Sequence, residues 1–140
     1  MKIIICGSIT AADEILAVQK TLEGRGYEVE IPEGVKDPGL RSRTEVSNEE
    51  KATDKIKRDL IRTYFAKIKS GDAVLVVNPD KKGVHGYIGG NTLIEMAFAH
   101  VLRKKLYVLH PLPKMTYSAE IAAMQPEVIN EDLSRIPTYV

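Results

Sequence analysis

Residues 83–99 read GVHGYIGGNTLIEMAFA, and the apolar run Ala73-Val74-Leu75-Val76-Val77 comes shortly before them. An apolar run, a glycine-rich loop and helical periodicity predict a strand, a loop and a helix N-terminus in succession. The first turn of a helix offers unpaired N–H groups to an anion. The stretch therefore predicts a ligand site, with the carboxylate of Glu95 inside that first turn, at the mouth of the loop. The residues expected to contact the ligand are Gly89, Gly90, Asn91 and Thr92.

The composition is that of one compact domain, which we expect residues 1–140 to form. The 20 basic and 19 acidic residues nearly balance, so charge gives no reason to expect nucleic acid or a membrane surface as a partner. Cys6 is the single cysteine, which excludes an intrachain disulfide and favours a reducing compartment. The apolar start is too short for a signal peptide and no stretch has the length of a membrane span. We expect a cytoplasmic protein.

Strand-like and helix-like segments alternate along the chain. The predicted strands are residues 3–6, 27–31, 73–77, 106–110 and 128–129. The predicted helices run over about residues 10–23, with Thr10 and Asp13 as an N-cap pair, and over residues 47–70, 92–103 and 118–124. Alternation of this kind indicates an α/β fold with helices on both faces of a parallel sheet.

Five short strands joined by right-handed crossovers predict a flavodoxin-like, Rossmann-like three-layer sandwich with a parallel sheet of order 2-1-3-4-5. In that order the switch point lies between the first and third strands, and ligands bind beyond the carboxyl ends of those strands. Gly7 and Ser8 follow the first strand, and residues 78–91 follow the third. Topology and local sequence therefore predict the same site.

Residues 32–46 show no apolar periodicity and contain Arg41 and Arg43. A loop of this length in a small domain is typical of a functional lid or of a solvated, disordered segment. The arginines are interpreted first as solvated charge and second as part of an arm that closes over an anionic ligand. Ser47 and Glu50 have the spacing of a capping box that opens the longest helix.

Several kinds of chemistry lack their motifs in this chain. Neither a complete GxGxxG nor a P-loop is present, and no serine has the surroundings of a hydrolase nucleophile. His85, His100 and His110 are not spaced as a metal-binding set, so no metal site is predicted. A carboxylate in a glycine-lined site remains, and carboxylates can trap an electron-poor sugar carbon. Local sequence equally allows Thr92 and Glu95 to form a capping box in which Glu95 only stabilises the helix.

Two segments resemble the nucleoside 2-deoxyribosyltransferase superfamily, which includes the 2'-deoxynucleoside 5'-phosphate N-hydrolases. They are Cys6-Gly7-Ser8-Ile9 and residues 91–99, NTLIEMAFA. In that family the glutamate attacks C1' of the sugar, expels the base and passes the sugar to water or to a second base. The resemblance implies that Glu95 is the nucleophile and that Gly7, Ser8 and Ile9 line the sugar or phosphate end. It also implies a nucleoside or nucleotide substrate, no cofactor, and a homodimer in which Ser118 reaches across the interface.

The chain also departs from the family pattern. Tyr64 stands where the family has an aspartate, and Gly89 where it has Asp or Ser. These departures favour a second reading, a non-catalytic nucleotide-binding or sensing domain of the same fold. A flavin-binding domain is a weaker third reading, because the loop after the first strand lacks a run of Ser and Thr for a phosphate.

Overall fold

The computed structural model describes residues 1–36, 52–53, 56 and 59–138. Its centre is a five-stranded, all-parallel sheet of order β2-β1-β3-β4-β5. The strands are β1 (Lys2–Cys6), β2 (Glu28–Glu30), β3 (Ala73–Val76), β4 (Lys105–Val108) and β5 (Glu127–Val128). This α/β, flavodoxin-like architecture confirms the fold class and the strand order expected from the sequence.

The helices follow in the expected alternation. They are α1 (Ala12–Gly24), α2 (Glu33–Lys36), α3 (Leu60–Ser70), α4 (Gly90–Val101) and α5 (Ser118–Ala123), with 3-10 turns at Ile9–Ala11 and Leu133–Arg135. Among the residues described, no helix combines the length and the apolar character needed to cross a membrane.

The central strands β1 and β3 are apolar on both faces because each face is covered by helices. Ile3 and Ile5 belong to a core layer with Ile15 and Leu22 of α1. Ile4 and Cys6 point to the opposite layer, which they share with residues of β3 and β4, with Ile88 of the glycine-rich loop and with residues of α3, α4 and α5. On that second face α3 and α4 pack together through an edge-to-face contact of Phe65 and Phe98, whose ring centroids are 5.0 Å apart.

Two local predictions near the N-terminus and after β2 are wrong. Helix α1 begins at Ala12, and the turn before it is capped by Ser8, whose Oγ accepts from the Thr10 N–H at 3.3 Å. A 3-10 turn therefore occupies the position where Thr10 was expected to cap the helix. The segment predicted as a loop from residue 32 starts with the short helix α2, which is anchored by the buried Val35. The remainder of that loop, with Arg41 and Arg43, and the capping box of Ser47 and Glu50 lie outside the described residues.

Candidate active site

Helix α4 begins two residues earlier than the sequence suggests. Gly89 is its N-cap, in an extended conformation with φ −80° and ψ 171°, and the carbonyl of Gly89 accepts from the Leu93 N–H at 2.9 Å. Thr92 is therefore the third residue of the helix, and Glu95 lies in its second turn. The placement of Glu95 in the first turn is wrong, and so is the capping-box interpretation, because Glu95 is too far along the helix to return to an N-cap.

Glu95 faces the sheet from α4 and is 7% exposed. Its carboxylate is close enough to Cys6, the last residue of β1, for its charge to act on that thiol. Burial raises the pKa of the Cys6 thiol well above its ordinary range, and the adjacent Glu95 carboxylate raises it further. Cys6 is therefore a protonated thiol and not a nucleophilic thiolate. The site carries a carboxylate in a dry position at the carboxyl end of β1.

Tyr64 of α3 is buried close to Cys6 and Glu95. Its hydroxyl donates to the main-chain carbonyl of Ile5. Burial raises the pKa of Tyr64 well above its ordinary range, and the nearby Cys6 and Glu95 add to that effect. Tyr64 is thus hydrogen-bonded to the backbone of β1, and it is part of the core beneath the site.

Of the three residues after β1, Ser8 faces the site, whereas Gly7 and Ile9 pack against neighbouring elements. A Cβ on Gly7 would lie 3.0 Å from the carbonyl oxygen of Val77, so a side chain here would press on the end of the neighbouring strand segment. Ser8 Oγ has close contacts with Thr10 Oγ1 at 2.9 Å and with Lys81 Nζ at 3.3 Å. Ile9 is turned toward α2, where a Cβ on Gly34 would lie 2.6 Å from its Cδ1.

Lys81 brings a positive charge to Ser8 that sequence reasoning missed. The main chains of Lys81 and Val84 exchange two hydrogen bonds of 3.0 and 2.9 Å. The two residues between them, Lys82 and Gly83, have φ of 53° and 74°, as a type I′ turn requires. The pair Lys82-Gly83 could have indicated this turn from the sequence. It would not have shown that the preceding residue, Lys81, is directed at Ser8.

Asn78 holds the glycine-rich loop against the end of β4, and it too was missed. Its side chain is buried, with Nδ2 donating to the carbonyls of Gly86 at 3.2 Å and of Pro111 at 3.3 Å. Its Oδ1 accepts from the His110 N–H at 2.9 Å. Gly86 has φ +66°, and a Cβ there would lie 2.2 Å from the carbonyl oxygen of Pro111. These hydrogen bonds and the close approach at Gly86 therefore hold the glycine-rich loop in a defined conformation beside the site.

The remaining predicted contacts lie at the start of α4 and α5. Gly90 and Asn91 are exposed in the first turn of α4, whereas Thr92 is buried and Gly89 is half-buried. Ser118 Oγ donates to the carbonyls of Pro113 and Met115, both at 2.9 Å, and therefore stabilises the turn before α5. Its neighbour Tyr117 donates to the carbonyl of Ile88, which joins α5 to the glycine-rich loop.

One group among the described residues has the composition of a metal site. Glu14, His110 and Glu131 place one ligand atom each within 4.8 Å of the others. Histidine spacing does not foresee this group, because His110 and Glu14 are 96 positions apart. Their mutual contacts are also those of ion pairs: His110 Nε2 lies 2.9 Å from Glu14, and Nδ1 lies 3.7 Å from Glu131.

Comparison of the chain with models of known protein families finds no match. Comparison with curated proteins finds none either.

Proposed function

We propose that the protein is an N-glycoside hydrolase or deoxyribosyltransferase that cleaves the base–sugar bond of a nucleoside or nucleoside 5'-monophosphate, with Glu95 as the nucleophile. The observation that carries the proposal is the position of Glu95: a buried carboxylate beside the carboxyl end of β1, where it has no capping role. Open parallel sheets bind ligands at this edge, next to the switch point between β1 and β3.

In the proposed reaction a carboxylate oxygen of Glu95 attacks C1' of the sugar and forms a C–O bond. The bond from C1' to the base nitrogen breaks, and its electron pair leaves with the base, which is then protonated. Water, or a second base, attacks C1', breaks the glycosyl ester and restores the carboxylate. Tyr64 is not placed to protonate the base, because its hydroxyl donates to Ile5. In this arrangement the leaving base takes its proton from solvent or from a group on the substrate side of the site.

The other end of the substrate is assigned to Ser8, Lys81 and the start of α4. A lysine ammonium 3.3 Å from a serine hydroxyl supplies cationic and hydroxyl donors to a phosphate, and the exposed first turn of α4 supplies main-chain N–H groups. A homodimer remains part of the proposal by resemblance, and no cofactor is required by the chemistry.

The test is chromatography of deoxyribonucleosides, ribonucleosides and their 5'-monophosphates after incubation with the pure protein. We expect free base to accumulate, and we expect Glu95→Gln to lower its release by about 10³-fold or more, because an amide cannot form the glycosyl ester. Glutamine keeps the size and shape of the buried side chain, so the thermal midpoint should change little. A wild-type rate retained by Glu95→Gln would exclude Glu95 as the nucleophile.

A second candidate is a nucleotide-binding or sensing domain without turnover. It is favoured by Tyr64, because a tyrosine committed to the backbone of β1 replaces an acidic group that the family places at this position. Under this candidate, nucleotide binds with measurable affinity, no base is released from any substrate, and Glu95→Gln alters affinity only.

A further inference from the structure

Three side chains from distant parts of the sequence meet at the carboxyl edge of the sheet. Glu14 lies in the first turn of α1, His110 follows β4, and Glu131 follows β5. His110 Nε2 is 2.9 Å from Glu14 Oε1, and His110 Nδ1 is 3.7 Å from Glu131 Oε1. One ligand atom from each residue lies within 4.8 Å of the other two. The fold thus brings an imidazole and two carboxylates together.

This group lies on the face of the sheet that α1 covers. Residues neighbouring its members in sequence belong to that core layer, namely Ile15, Leu109 and Ile129. Glu95 instead projects from α4, which packs on the opposite face with Cys6 and Met96 in its core layer. The group is therefore separate from the proposed active site, and its role does not depend on the proposed reaction.

The main chains that carry His110 and Glu131 are held in place. The side chain of Asn78 bonds to both backbone polar groups of His110: Oδ1 accepts its N–H at 2.9 Å, and Nδ2 donates to its carbonyl at 3.2 Å. The Glu131 N–H donates to the carbonyl of Leu109 at 2.8 Å. The side chains of Glu14 and Glu131 are 33% and 69% exposed, so their rotation can close the group around an ion while the backbone stays in place.

The charges of the group are not balanced by lysine or arginine. In the described part of the chain both glutamates have His110 as their ion-pair partner, and neither has a lysine or arginine within ion-pair distance. Other surface carboxylates differ, since Glu30 and Glu33 share the ammonium groups of Lys36 and Lys67. A histidine that binds a metal is neutral, and the two carboxylates then carry a charge that a divalent cation would balance.

We propose that Glu14, His110 and Glu131 bind a divalent transition-metal ion, with zinc as the best match. One imidazole nitrogen and two carboxylate oxygens suit Zn²⁺, whereas Mg²⁺ and Ca²⁺ prefer oxygen ligands alone. Bonds of about 2.0–2.2 Å place the ligands of tetrahedral zinc about 3.3–3.6 Å apart. The ligand atoms, within 4.8 Å of one another, need only a small contraction to reach that spacing. Water would occupy the fourth position, and the ion would join α1 to the segments after β4 and β5.

The experiment is a calorimetric titration of the whole protein, first freed of metal by a chelator, with Zn²⁺ alone. We expect one ion to bind per chain. Glu14→Gln, His110→Asn and Glu131→Gln should each weaken binding about tenfold or more, because each removes one of three ligands. Glu131→Gln changes an exposed side chain, so it still tests the site if His110→Asn fails to fold.

Two matched controls test whether any carboxylate or histidine would do. Asp13 is exposed and directly precedes Glu14 on α1, and His85 is paired with a single carboxylate, that of Asp80. Asp13→Asn and His85→Ala should therefore bind Zn²⁺ as the wild type does. Loss of binding in these variants equal to that in the three ligand variants would overturn the inference.

Thermal unfolding gives a second readout. Zn²⁺ should raise the thermal midpoint by about 5–10 °C at a concentration about 100-fold above Kd, because it binds the folded chain. Mg²⁺ at the same concentration should not. No binding of Zn²⁺, unweakened binding in the three ligand variants, or equal stabilisation by Mg²⁺ would overturn the inference and leave the group as ion pairs only. A protein that binds Zn²⁺ as expected but releases no base would refute the proposed function and leave this inference intact.

Discussion

The ammonium of Lys81 lies 3.3 Å from the hydroxyl of Ser8 and so joins the turn after β3 to the end of β1. The next residue, Lys82, provides a natural comparison. Both ammonium groups lie over the ring of Tyr87, at 5.6 and 5.7 Å from its centre. Of these two lysines, only Lys81 has a contact with Ser8 in the described part of the chain. The two lysines therefore share a charge and a ring contact but differ in their access to the site.

Replacement of Lys81 should weaken phosphate recognition selectively. We expect Lys81→Ala to weaken binding of a nucleoside 5'-monophosphate about tenfold or more and to leave binding of the corresponding nucleoside nearly unchanged. Lys82→Ala should have a small effect on either ligand. Calorimetric titration at low and high salt is the measurement, and the loss should shrink at high salt because exposed charges are screened. Equal losses for nucleoside and nucleotide would contradict a phosphate role for Lys81.

The hydroxyl of Ser8 is expected to contribute one hydrogen bond to the same ligand. In the structure its oxygen already receives the Thr10 N–H and faces Thr10 Oγ1 and Lys81, so a ligand must replace one of these contacts. Ser8→Ala should therefore weaken nucleotide binding by only about 1 kcal/mol. Thr10→Val serves as the control, since it removes the neighbouring hydroxyl and keeps Ser8. Equal loss for nucleoside and nucleotide would assign Ser8 to the sugar.

The fold was predictable because its signals are local. The β-branched run Ile3-Ile4-Ile5 indicates a strand covered on both faces, and the structure places alternate residues of that run in two core layers. Strand lengths were less predictable: β2 covers Glu28–Glu30, although the alternating pattern extends one residue further on each side. Strand ends depend on the neighbouring strands with which they pair, and a single segment does not specify those partners.

The candidate site was predicted in part. The sequence predicted that the loop after β3 lies beside the end of β1, because the parallel order of β1 and β3 brings their carboxyl ends together. The start of α4 was misplaced, since a glycine N-cap competes with Thr92 and local propensity does not decide between them. Lys81 and Ser8 meet across 73 positions through a turn geometry, and Asn78 acts on carbonyl groups that no side-chain pattern reveals.

Asn78 is expected to be among the most sensitive polar residues of the fold. Asn78→Ala removes one acceptor and both donors from a buried position, which should lower the free energy of unfolding by about 2–4 kcal/mol. Asn78→Asp keeps the shape but directs an anion at the carbonyls of Gly86 and Pro111; it should be at least as destabilising at neutral pH and less so in acid. Urea unfolding measures both, with the exposed Asn91→Ala as the control. A loss below 1 kcal/mol in both Asn78 variants would show that the contacts are replaceable.

Two glycines of the same loop separate the cost of backbone conformation from that of a steric clash. Gly83 has φ +74° with nothing within 4 Å of an added Cβ, whereas Gly86 has φ +66° and an added Cβ 2.2 Å from a carbonyl oxygen. Gly83→Ala should cost about 1–2 kcal/mol, the penalty of the left-handed conformation alone. Gly86→Ala should cost clearly more, since the loop must move away from Pro111 and strain its bonds to Asn78. Equal losses in thermal or urea unfolding would mean that the loop shifts freely.

Asp80 should make the stability of the glycine-rich loop depend on pH in the acidic range. Its Oδ2 lies 2.9 Å from His85 Nδ1, and its Oδ1 accepts from the Gly86 N–H at 2.9 Å. The hydrogen bond from His85 lowers the pKa of Asp80 below its ordinary value of 3.8, and the bond from Gly86 lowers it further.

A carboxyl group whose pKa is lower in the folded state binds protons more readily when unfolded. The stability that it contributes is therefore fully present above the ordinary value of 3.8 and is lost as the pH falls through the folded pKa. The unfolding free energy of wild type should exceed that of Asp80→Asn at about pH 6, and the difference should shrink toward about pH 2.5. His85→Ala should reduce the difference without abolishing it, because the Gly86 bond remains. Urea unfolding at several pH values is the measurement, and a difference independent of pH would show that the charge of Asp80 does not stabilise the loop.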